Sequence, residues 1–215
     1  MKFLMSILKK AKGKVTVALS GGSDSVAIAH FLKTKYPKID LQCFHFHHNL
    51  REQNDLMLEK CISFCTDFSI PLSFSVREKS GEESEAALRK ARYDAMNGLG
   101  YVITGHHLND AVENYLYNCF NGVPEYLPIP LETEYEENDL IIIRPFILSE
   151  KRNIRDYINK NNLEKYIVED ETNNEQKYRR NWLRNSLVPQ INNNGYNLET
   201  VVRKRYMNYL KQKSE

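Results

Sequence analysis

Residues 15–32 read VTVALSGGSDSVAIAHFL and change character in their middle. The run VTVAL at residues 15–19 is apolar and rich in β-branched side chains, which predicts a buried strand. Ile28, Phe31 and Leu32 recur at helical spacing, which predicts a helix over the second half. The stretch therefore predicts a strand, a tight turn over residues 20–25, and a helix.

The turn has the composition of a phosphate-binding loop. Its residues are Ser20, Gly21, Gly22, Ser23, Asp24 and Ser25. Two adjacent glycines let backbone N–H groups approach an anion closely, and a helix N-terminus attracts negative charge. Because the Asp24 carboxylate would repel phosphate, it indicates either a bridging Mg²⁺ or a bond to another protein group. No lysine follows the glycines, which excludes the Walker-type loop.

Strand and helix patterns alternate five times along the chain. This alternation predicts an α/β fold in which helices flank a five-stranded parallel sheet. The predicted strands cover residues 15–19, 39–45, 72–76, 101–104 and 140–143. Two of the predicted helices have identifiable starts, a capping box of Ser80 with Glu83 and a cap at Ser149. Ligands of such sheets bind beyond the carboxyl ends of the strands, so we expect the chemistry in the loops after residues 19, 45, 104 and 143.

The distribution of charge divides the chain unevenly. We predict one domain over residues 1–190, followed by a short, basic helical tail over residues 191–215. Residues 176–215 contain nine Lys or Arg against two Glu, a net charge of +7. This excess indicates a polyanionic partner, although a solvated surface would also explain it. Residues 125–139 contain six acids and no basic residue, and we predict a loop over residues 123–139.

Composition places the chain among ordinary globular proteins. Of its 215 residues, 41% are hydrophobic and 27% are charged. No apolar run approaches the roughly 18 residues that a membrane span needs, so we expect no membrane partner and a cytoplasmic location. The first residues predict a short amphipathic helix rather than a signal peptide. We expect the four cysteines to be buried free thiols. They are Cys43, Cys61, Cys65 and Cys119.

The turn S-G-G-S-D-S matches the S-G-G-x-D-S signature of the PP-loop ATP pyrophosphatases, and the chain resembles that superfamily. The resemblance implies an adenine nucleotide alpha hydrolase-like fold. It also implies that ATP, with Mg²⁺, is cleaved between its α and β phosphates while the loop grips pyrophosphate.

Further motifs resemble one family of that superfamily, the tRNA(Ile)-lysidine synthetases. HFHHNLR at residues 45–51 resembles H-x-[DN]-H-x-L-R, EAALRKARY at 85–93 resembles E-A-x-x-R-x-x-R-Y, and TGHHLNDAVE at 104–113 resembles T-[AG]-H-H-x-x-D-x-x-E. Arg144-Pro145, EDETN at 169–173 and R-N-x2-R at 180–184 follow in the family's order. The resemblance covers about residues 15–191. The sequence departs from the family at His47, which replaces Asp or Asn, and after Phe120, where a glycine-rich run is absent.

This resemblance implies a ligase that joins L-lysine to C2 of the wobble cytidine of tRNA(Ile) with a CAU anticodon. ATP would first adenylate the C2 oxygen and release pyrophosphate, and the lysine ε-amine would then displace AMP. Because a protonated amine is not a nucleophile, a carboxylate or histidine must accept its proton. The target base must also be splayed out of the anticodon loop.

The candidate catalytic residues are His106, Asp110 and Arg89. His106 and His107 end the fourth predicted strand, where successive side chains diverge, and we favour His106 as the one facing the site. Asp110 could alternatively be a simple helix-start acid. Arg89 could hold a phosphate or orient Asp24, but an exposed salt-bridged helix face would also explain it.

The candidate residues for binding substrate or tRNA are Arg92, Glu113, Arg180 and Arg184. Arg184 could instead bond the segment at residues 169–170. The basic side chains Arg203, Lys204 and Arg205 of the tail are further candidates for tRNA phosphates. His45, His47 and His48 look like a metal cluster, but strand spacing puts His48 on the opposite face, so we interpret them as packing residues. The sequence does not identify a metal site.

Two alternatives stay open. A tRNA thiolase of the same superfamily commonly uses a C-x2-C pair with an iron–sulfur cluster, and this sequence has none. A non-catalytic nucleotide-binding module is a second alternative. The presence of Asp24, Asp110 and Arg89 argues against it. An assay of AMP release distinguishes an enzyme from such a module.

Overall fold

The computed structural model describes residues 13–79, 83–123, 127–169 and 179–213, together with Leu4 and Leu8. Its strands are β1 (Lys14–Ala18), β2 (Asp40–His47), β3 (Leu72–Val76), β4 (Gly100–Ile103), β5 (Glu132–Tyr135) and β6 (Leu140–Ile143). Its α-helices are α1 (Ser23–Lys35), α2 (Gln53–Asp67), α3 (Glu85–Asp94), α4 (Leu108–Phe120), α5 (Lys151–Lys160), α6 (Arg179–Trp182), α7 (Val188–Asn193) and α8 (Leu198–Gln212). A π-helical turn at Leu183–Leu187 joins α6 to α7.

The six strands form one sheet in the order β3-β2-β1-β4-β6-β5. The five predicted strands, β1 to β4 and β6, pair in parallel, so the predicted α/β fold class is confirmed. The chain moves outward from β1 through β2 to β3 and then returns to place β4 on the other side of β1. Strand order reverses at that point, and such reversals leave a crevice at the carboxyl ends of the strands.

Alternate residues of the strands enter two different clusters of the core. Val17, Cys43, Ile103 and Ile143 face the larger cluster, which contains the buried side chains of α1, α2, α4, α5 and α8. Phe44, Phe46, Val102 and Ile142 face a smaller cluster with Tyr93 and Met96, which come from α3 and the residues after it. The two-residue period of the strands thus separates the layers on the two faces of the sheet.

The acidic segment contains a strand that the sequence analysis missed. Glu132–Tyr135 pairs antiparallel with β6 at the edge of the sheet, so the predicted loop over residues 123–139 is wrong for these four residues. Tyr135 packs against the ring of Tyr93 at a centroid distance of 4.8 Å, and Thr133 Oγ1 accepts a hydrogen bond from Arg144. The acids Glu132 and Glu134 occupy the alternate positions. Composition suggested a loop, whereas alternation and pairing make a strand.

Two predicted helix starts are displaced. Helix α3 is capped by Ser84, whose Oγ accepts a hydrogen bond from the Ala87 N–H, and not by the predicted capping box of Ser80 and Glu83. Ser80 itself lies outside the described residues. Helix α5 begins after Glu150 rather than after Ser149, and the Ser149 carbonyl instead accepts the Leu108 N–H at the start of α4.

The C-terminal helix α8 packs into the larger core cluster. Val202 and Tyr206 are fully buried there. The Tyr206 hydroxyl donates to the Ile129 carbonyl at 2.7 Å and accepts the Ile129 N–H at 3.2 Å. The side chain therefore satisfies both backbone groups of one residue in the segment that leads into β5. The predicted tail contains helix α8, and this helix packs against the core instead of extending away from it.

Two of the tail's basic residues contact other parts of the chain. Arg203 forms a salt bridge with Glu150, and the guanidinium of Arg205 lies 4.9 Å from the centre of the Tyr115 ring. Lys204 is exposed. Arg203 is thus paired with the residue that precedes α5, and whether the three side chains contact tRNA phosphates stays a prediction.

The cysteine prediction holds for three residues. Cys43, Cys61 and Cys65 are buried free thiols, whereas Cys119 near the end of α4 is exposed. Most of the predicted N-terminal helix lies outside the described residues, but Leu8 is buried and the Leu4 N–H donates to the Pro145 carbonyl. Within the described residues, no helix is long and apolar enough to cross a membrane.

Candidate active site

The predicted phosphate turn connects β1 to α1 and is ordered by its own hydroxyls. Ser25 Oγ donates to the Gly22 carbonyl at 3.0 Å and accepts the Ser20 N–H at 3.1 Å. Gly21 has a φ of +83°, and a Cβ there would lie 3.3 Å from the Met57 backbone oxygen. Gly22 is extended at the N-cap position of α1, and no side chain caps the helix. The turn thus presents the N-terminus of a 13-residue helix without a side-chain acceptor.

Asp24 has two partners in this site, and neither was predicted. Both Asp24 carboxylate oxygens accept hydrogen bonds from Lys151 Nζ at 2.7 Å, and the same ammonium donates to Ser23 Oγ at 2.9 Å. His107 Nε2 lies 3.6 Å from Asp24 Oδ1. Gly105 allows this approach, since a Cβ at that position would lie 3.3 Å from the Asp24 Cβ. The bond to another protein group that Asp24 indicated is therefore the salt bridge to Lys151, the first residue of α5.

The adjacent histidines between β4 and α4 have different partners. His107 Nδ1 accepts the Asp110 N–H at 3.4 Å, which leaves the ring proton on Nε2, towards Asp24. His106 hydrogen-bonds Thr104 Oγ1 at 2.8 Å instead. Burial, helped by the cations of Arg144, Arg92 and Arg89, lowers the pKa of His106 to about 3. The histidine that contacts the phosphate turn is thus His107, while His106, the predicted one, faces a group of arginines.

Asp110 and Glu113 form an acidic pair on the first turns of α4, and Arg184 bonds both. Arg184 donates to the two Glu113 oxygens at 2.6 and 2.9 Å and lies 3.6 Å from Asp110 Oδ1. Asp110 also accepts the His107 N–H at 2.9 Å, so its alternative role as a helix-start residue is real. The guanidinium of Arg184 reaches the buried Glu113 from the π-helical turn. The alternative bond from Arg184 to residues 169–170 stays a prediction, because Asp170 lies outside the described residues.

Arg184→Ala is expected to reduce stability in a pH-dependent way. Glu113 is only 5% exposed, and burial raises its pKa above the ordinary 4.5 while Arg184 opposes the shift. Without Arg184 the pKa rises further. A carboxyl whose folded-state pKa exceeds its unfolded value loses stability as pH rises through the folded pKa. The deficit, about 2 kcal/mol near pH 7 for lost charged hydrogen bonds, should therefore shrink as pH falls towards 4.5.

Thermal unfolding across this pH range measures the effect, and Lys204→Ala serves as a matched control because Lys204 is exposed on α8. A deficit that stays constant with pH would mean that Glu113 is not the group left unpaired.

Arg89 and Arg92 lie on α3, near the residue that follows β6. Each guanidinium carbon is 5.3 Å from the centre of the Tyr93 ring. Arg144, which follows β6, is 2% exposed and donates to the Pro130 carbonyl and to Thr133, both at 2.9 Å. The suggestion that Arg89 orients Asp24 is wrong, because Lys151 holds that carboxylate. The predicted site residues therefore fall into two groups, one at Asp24 and one at Tyr93.

The two histidines of β2, and His48 directly after it, pack against neighbouring groups of the chain. Buried His45 donates from Nδ1 to the Leu19 carbonyl at 2.8 Å, and His47 donates from Nε2 to Asp55 at 3.0 Å. His48 packs edge-on against Phe46 at a centroid distance of 4.9 Å. In the part of the chain that the structure describes, no three His, Cys, Asp or Glu side chains are grouped so that they could hold a metal ion.

Of the remaining motif residues, the structure describes Glu169, Arg180 and Asn181. Arg180 is exposed at the start of α6, next to buried Asn181. The Glu169 carbonyl accepts a hydrogen bond from Gln53 at 2.8 Å. The rest of the EDETN motif, residues 170–173, lies outside the described residues.

Lys151→Gln is expected to weaken ATP binding about tenfold. The lysine neutralises a carboxylate beside the phosphate turn, and without it the Asp24 charge would face the phosphates directly. Calorimetric titration with a non-hydrolysable ATP analogue measures the change. Lys160→Gln, at the exposed end of the same helix, is the control for charge alone. Unchanged affinity in Lys151→Gln would show that the phosphates do not approach Asp24.

Comparison with known proteins gives one matching family and many relatives. Residues 1–191 match the family described as the PP-loop domain. The tRNA(Ile)-lysidine synthase of Polaromonas naphthalenivorans is 31% identical over 186 residues, which cover 81% of this chain and 55% of the relative. Those of Thermotoga maritima and Pseudothermotoga lettingae are 31% and 33% identical, covering 81% and 83% of this chain but 44% and 42% of theirs. The chain thus spans about half the length of these curated relatives.

Among solved structures, a U34-tRNA thiolase from Methanococcus maripaludis that carries a [4Fe-4S] cluster superposes with a TM-score of 0.73. The superposition covers 93% of this chain and 74% of the thiolase, at 16% sequence identity. At that identity the similarity establishes a common fold and nothing about the reaction.

Proposed function

We propose, from the premise that this chain belongs to the PP-loop domain family, that it acts as a tRNA(Ile)-lysidine synthetase. It would use ATP to join L-lysine to C2 of the wobble cytidine in tRNA(Ile) with a CAU anticodon, releasing AMP and pyrophosphate. It would act in the cytoplasm, where its tRNA substrate is modified. The named relatives support this reaction class, a carbon–nitrogen ligase.

The observation that carries the proposal is the position of the acidic pair beside the phosphate turn. His107 touches Asp24 on one side and Asp110 on the other, so the turn and the pair share one site. Asp110 and Glu113 are carboxylates 3 residues apart on one helix face, and Arg184 bonds both. An ATP-cleaving turn next to paired carboxylates suits a reaction in which an amine attacks an adenylated intermediate.

In the first step the turn of residues 20–25 would hold the leaving pyrophosphate. Backbone N–H groups at the start of α1 would stabilise the charge that develops as the bond between the α and β phosphates breaks. Lys151 would shift between Asp24 and the phosphates, because its ammonium already bonds the side chains of Ser23 and Asp24. The AMP moiety would then be carried by the C2 oxygen of the cytidine.

The residues at the turn fit a magnesium ion that is bound mainly by the nucleotide. Asp24 already attracts a cation, the Lys151 ammonium, and Mg²⁺ is commonly held by one or two carboxylates together with substrate phosphates. Asp24 and Ser23 would hold it, and when bound it would offset the phosphate charge during adenylation.

In the second step Asp110 would accept the proton of the lysine ε-amine. Its carboxylate lies between Arg184 and His107, the histidine that contacts Asp24, and a lysine ammonium would be attracted by this acid and by Glu113. A histidine with a pKa of about 3 is a weak acceptor for that proton, so His106 would act as a neutral hydrogen-bonding group. Glu113 would orient Arg184 rather than contact tRNA directly.

The direct test is incubation of the chain with ATP, lysine and a CAU-anticodon tRNA(Ile) transcript, followed by mass analysis of the nucleosides. Lysidine and stoichiometric AMP are the expected products. AMP without lysidine, or a thiolated nucleoside when a sulfur donor replaces lysine, would contradict the proposal in favour of another member of the superfamily. The same tRNA with a GAU anticodon is the matched control.

A further inference from the structure

The second group of site residues collects positive charge at the carboxyl edge of the sheet. We call it the cationic cluster. Its members are Arg77, Arg89, Arg92, Arg144, His48 and His106. Arg77 directly follows β3, His48 follows β2 and Arg144 follows β6, while Arg89 and Arg92 come from α3. Three separate elements therefore place arginines at one edge, and the two histidines lie among them.

The members are close enough to act on one another electrostatically. Arg92 and Arg77 add to burial in lowering the pKa of His48 to about 4. Arg144, Arg92 and Arg89 do the same to His106. Both rings are therefore neutral near pH 7, and the charge of the cluster lies on its arginines. The side chains that act on these two rings are themselves basic.

Polar atoms in the cluster are also buried without a partner. Within the described residues, Arg144 Nε and His48 Nδ1 are inaccessible to solvent and make no hydrogen bond. A buried donor on a guanidinium costs free energy unless it is paired, and a bound anion would supply the acceptor that Arg144 Nε lacks. Arg89 is exposed, which leaves the cluster open on one side.

The cluster is distinct from the phosphate turn. Phe46, Tyr93 and Ile142, next to its members, belong to the smaller core cluster, whereas the buried residues of α1, which follows the turn, belong to the larger one. The two meet at the His106–His107 peptide, because His107 contacts Asp24 while Arg144, Arg92 and Arg89 act on the pKa of His106. The triphosphate of ATP is already assigned to the turn under the proposed function, so the anion that the cluster would bind is a different one.

We propose that the cationic cluster binds a backbone phosphate of the tRNA next to the nucleotide that is modified. The proposal rests on the function proposed above. Four arginines exceed what a single carboxylate needs and suit a polyanion, for which arginine offers bidentate contacts. The Tyr93 and Tyr135 rings beside them, at a 4.8 Å centroid distance, suit an unstacked loop nucleotide. Bound there, the backbone would present the flipped base towards Asp110 and the turn.

The test measures binding of the CAU-anticodon stem-loop RNA to the full chain at several salt concentrations. Arg92→Gln should weaken binding about tenfold and reduce the slope of log K against log salt by about 0.7. Arg92→Lys, which keeps the charge, should retain most of the slope and shows that the fold tolerates a change at this position. Lys90→Gln is the matched control, because Lys90 lies on the same helix but pairs with Asp94 at the surface.

The affinity for an ATP analogue and the KM for lysine are measured on the same variants and should not change. Unchanged RNA affinity and slope in Arg92→Gln would overturn the proposal. So would an equal loss of ATP or lysine binding, which would assign the cluster to the nucleotide or to the lysine carboxylate. Lysidine formation by the unaltered chain is assayed in parallel. If it occurs while Arg92→Gln binds RNA normally, the cluster proposal alone fails. If it is absent while the salt slope falls, the proposed reaction alone fails.

Discussion

Gly22→Val should reduce AMP formation about 10³-fold or more while leaving the protein folded. The backbone of Gly22 is extended, with φ −83° and ψ 160°, and a Cβ would touch only Ser20 Oγ at 3.4 Å, so the fold can accept valine. The branched side chain would instead project over the N-terminus of α1, where the phosphates need to contact backbone N–H groups. Loss of such preorganised donors is among the largest effects seen in catalysis. Quantifying AMP by chromatography, with circular dichroism for the fold, measures both outcomes.

Two companion variants sharpen this experiment. Asp24→Asn should give a comparable loss, because it removes the charge that pairs with Lys151 and would attract magnesium. Gly21→Val should instead unfold or destabilise the chain, since φ at Gly21 is +83° and Met57 leaves no room for a Cβ. Near-normal AMP release by Gly22→Val would mean that the turn of residues 20–25 does not hold phosphate.

Asp110→Asn should reduce lysidine formation by about 10²-fold or more, with a much smaller effect on the adenylation step, which releases pyrophosphate. Asparagine can still accept the His107 N–H through its side-chain oxygen, so the start of α4 is preserved. It cannot accept the proton of the lysine ammonium. Single-turnover assays that follow adenylate and lysidine separately would locate the loss in the second step. Accumulation of the adenylated tRNA is the expected signature.

The control for this variant is Asp94→Asn, which lies at the surface of α3 and is bonded to Lys90. If Asp110→Asn lost both steps equally, or if its lysidine rate followed the wild type between about pH 6 and pH 9, Asp110 would be only the acid that starts helix α4.

The fold was predictable from sequence because its main signals are local. Residues 15–32 contain a strand, a turn and a helix in immediate succession, and apolar runs such as 140–143 identify central parallel strands. Strand β5 was missed because the acids at Glu132 and Glu134 dominate its composition. Its alternation with Thr133 and Tyr135 was the available signal, but four residues are too few to distinguish an edge strand from a loop.

The candidate site was predictable only in part because its bonds join distant segments. Lys151 lies 127 residues from Asp24, in a charged run that looks like an ordinary exposed helix. Arg184 lies 71 residues from Glu113, and its motif gave no indication of which acid it would meet. The choice between His106 and His107 depended on which of two adjacent side chains points towards Asp24. The spacing of residues in the sequence does not decide that direction. The sequence motifs therefore identified several residues of the site, but only the tertiary structure shows which acidic side chain each basic side chain contacts.

The two hydrogen bonds of Tyr206 bear on how much of the chain is needed for folding. The family match ends at residue 191, yet this phenol saturates the backbone of Ile129 as a neighbouring strand would. A fragment ending at residue 191 would leave that peptide group unsatisfied and expose the core side chains that Val202 covers. We therefore expect such a fragment to aggregate or melt early, whereas one extended through Gln212 should unfold in a single cooperative transition. The last helix is therefore part of the cooperative folding unit, independently of any role in binding RNA.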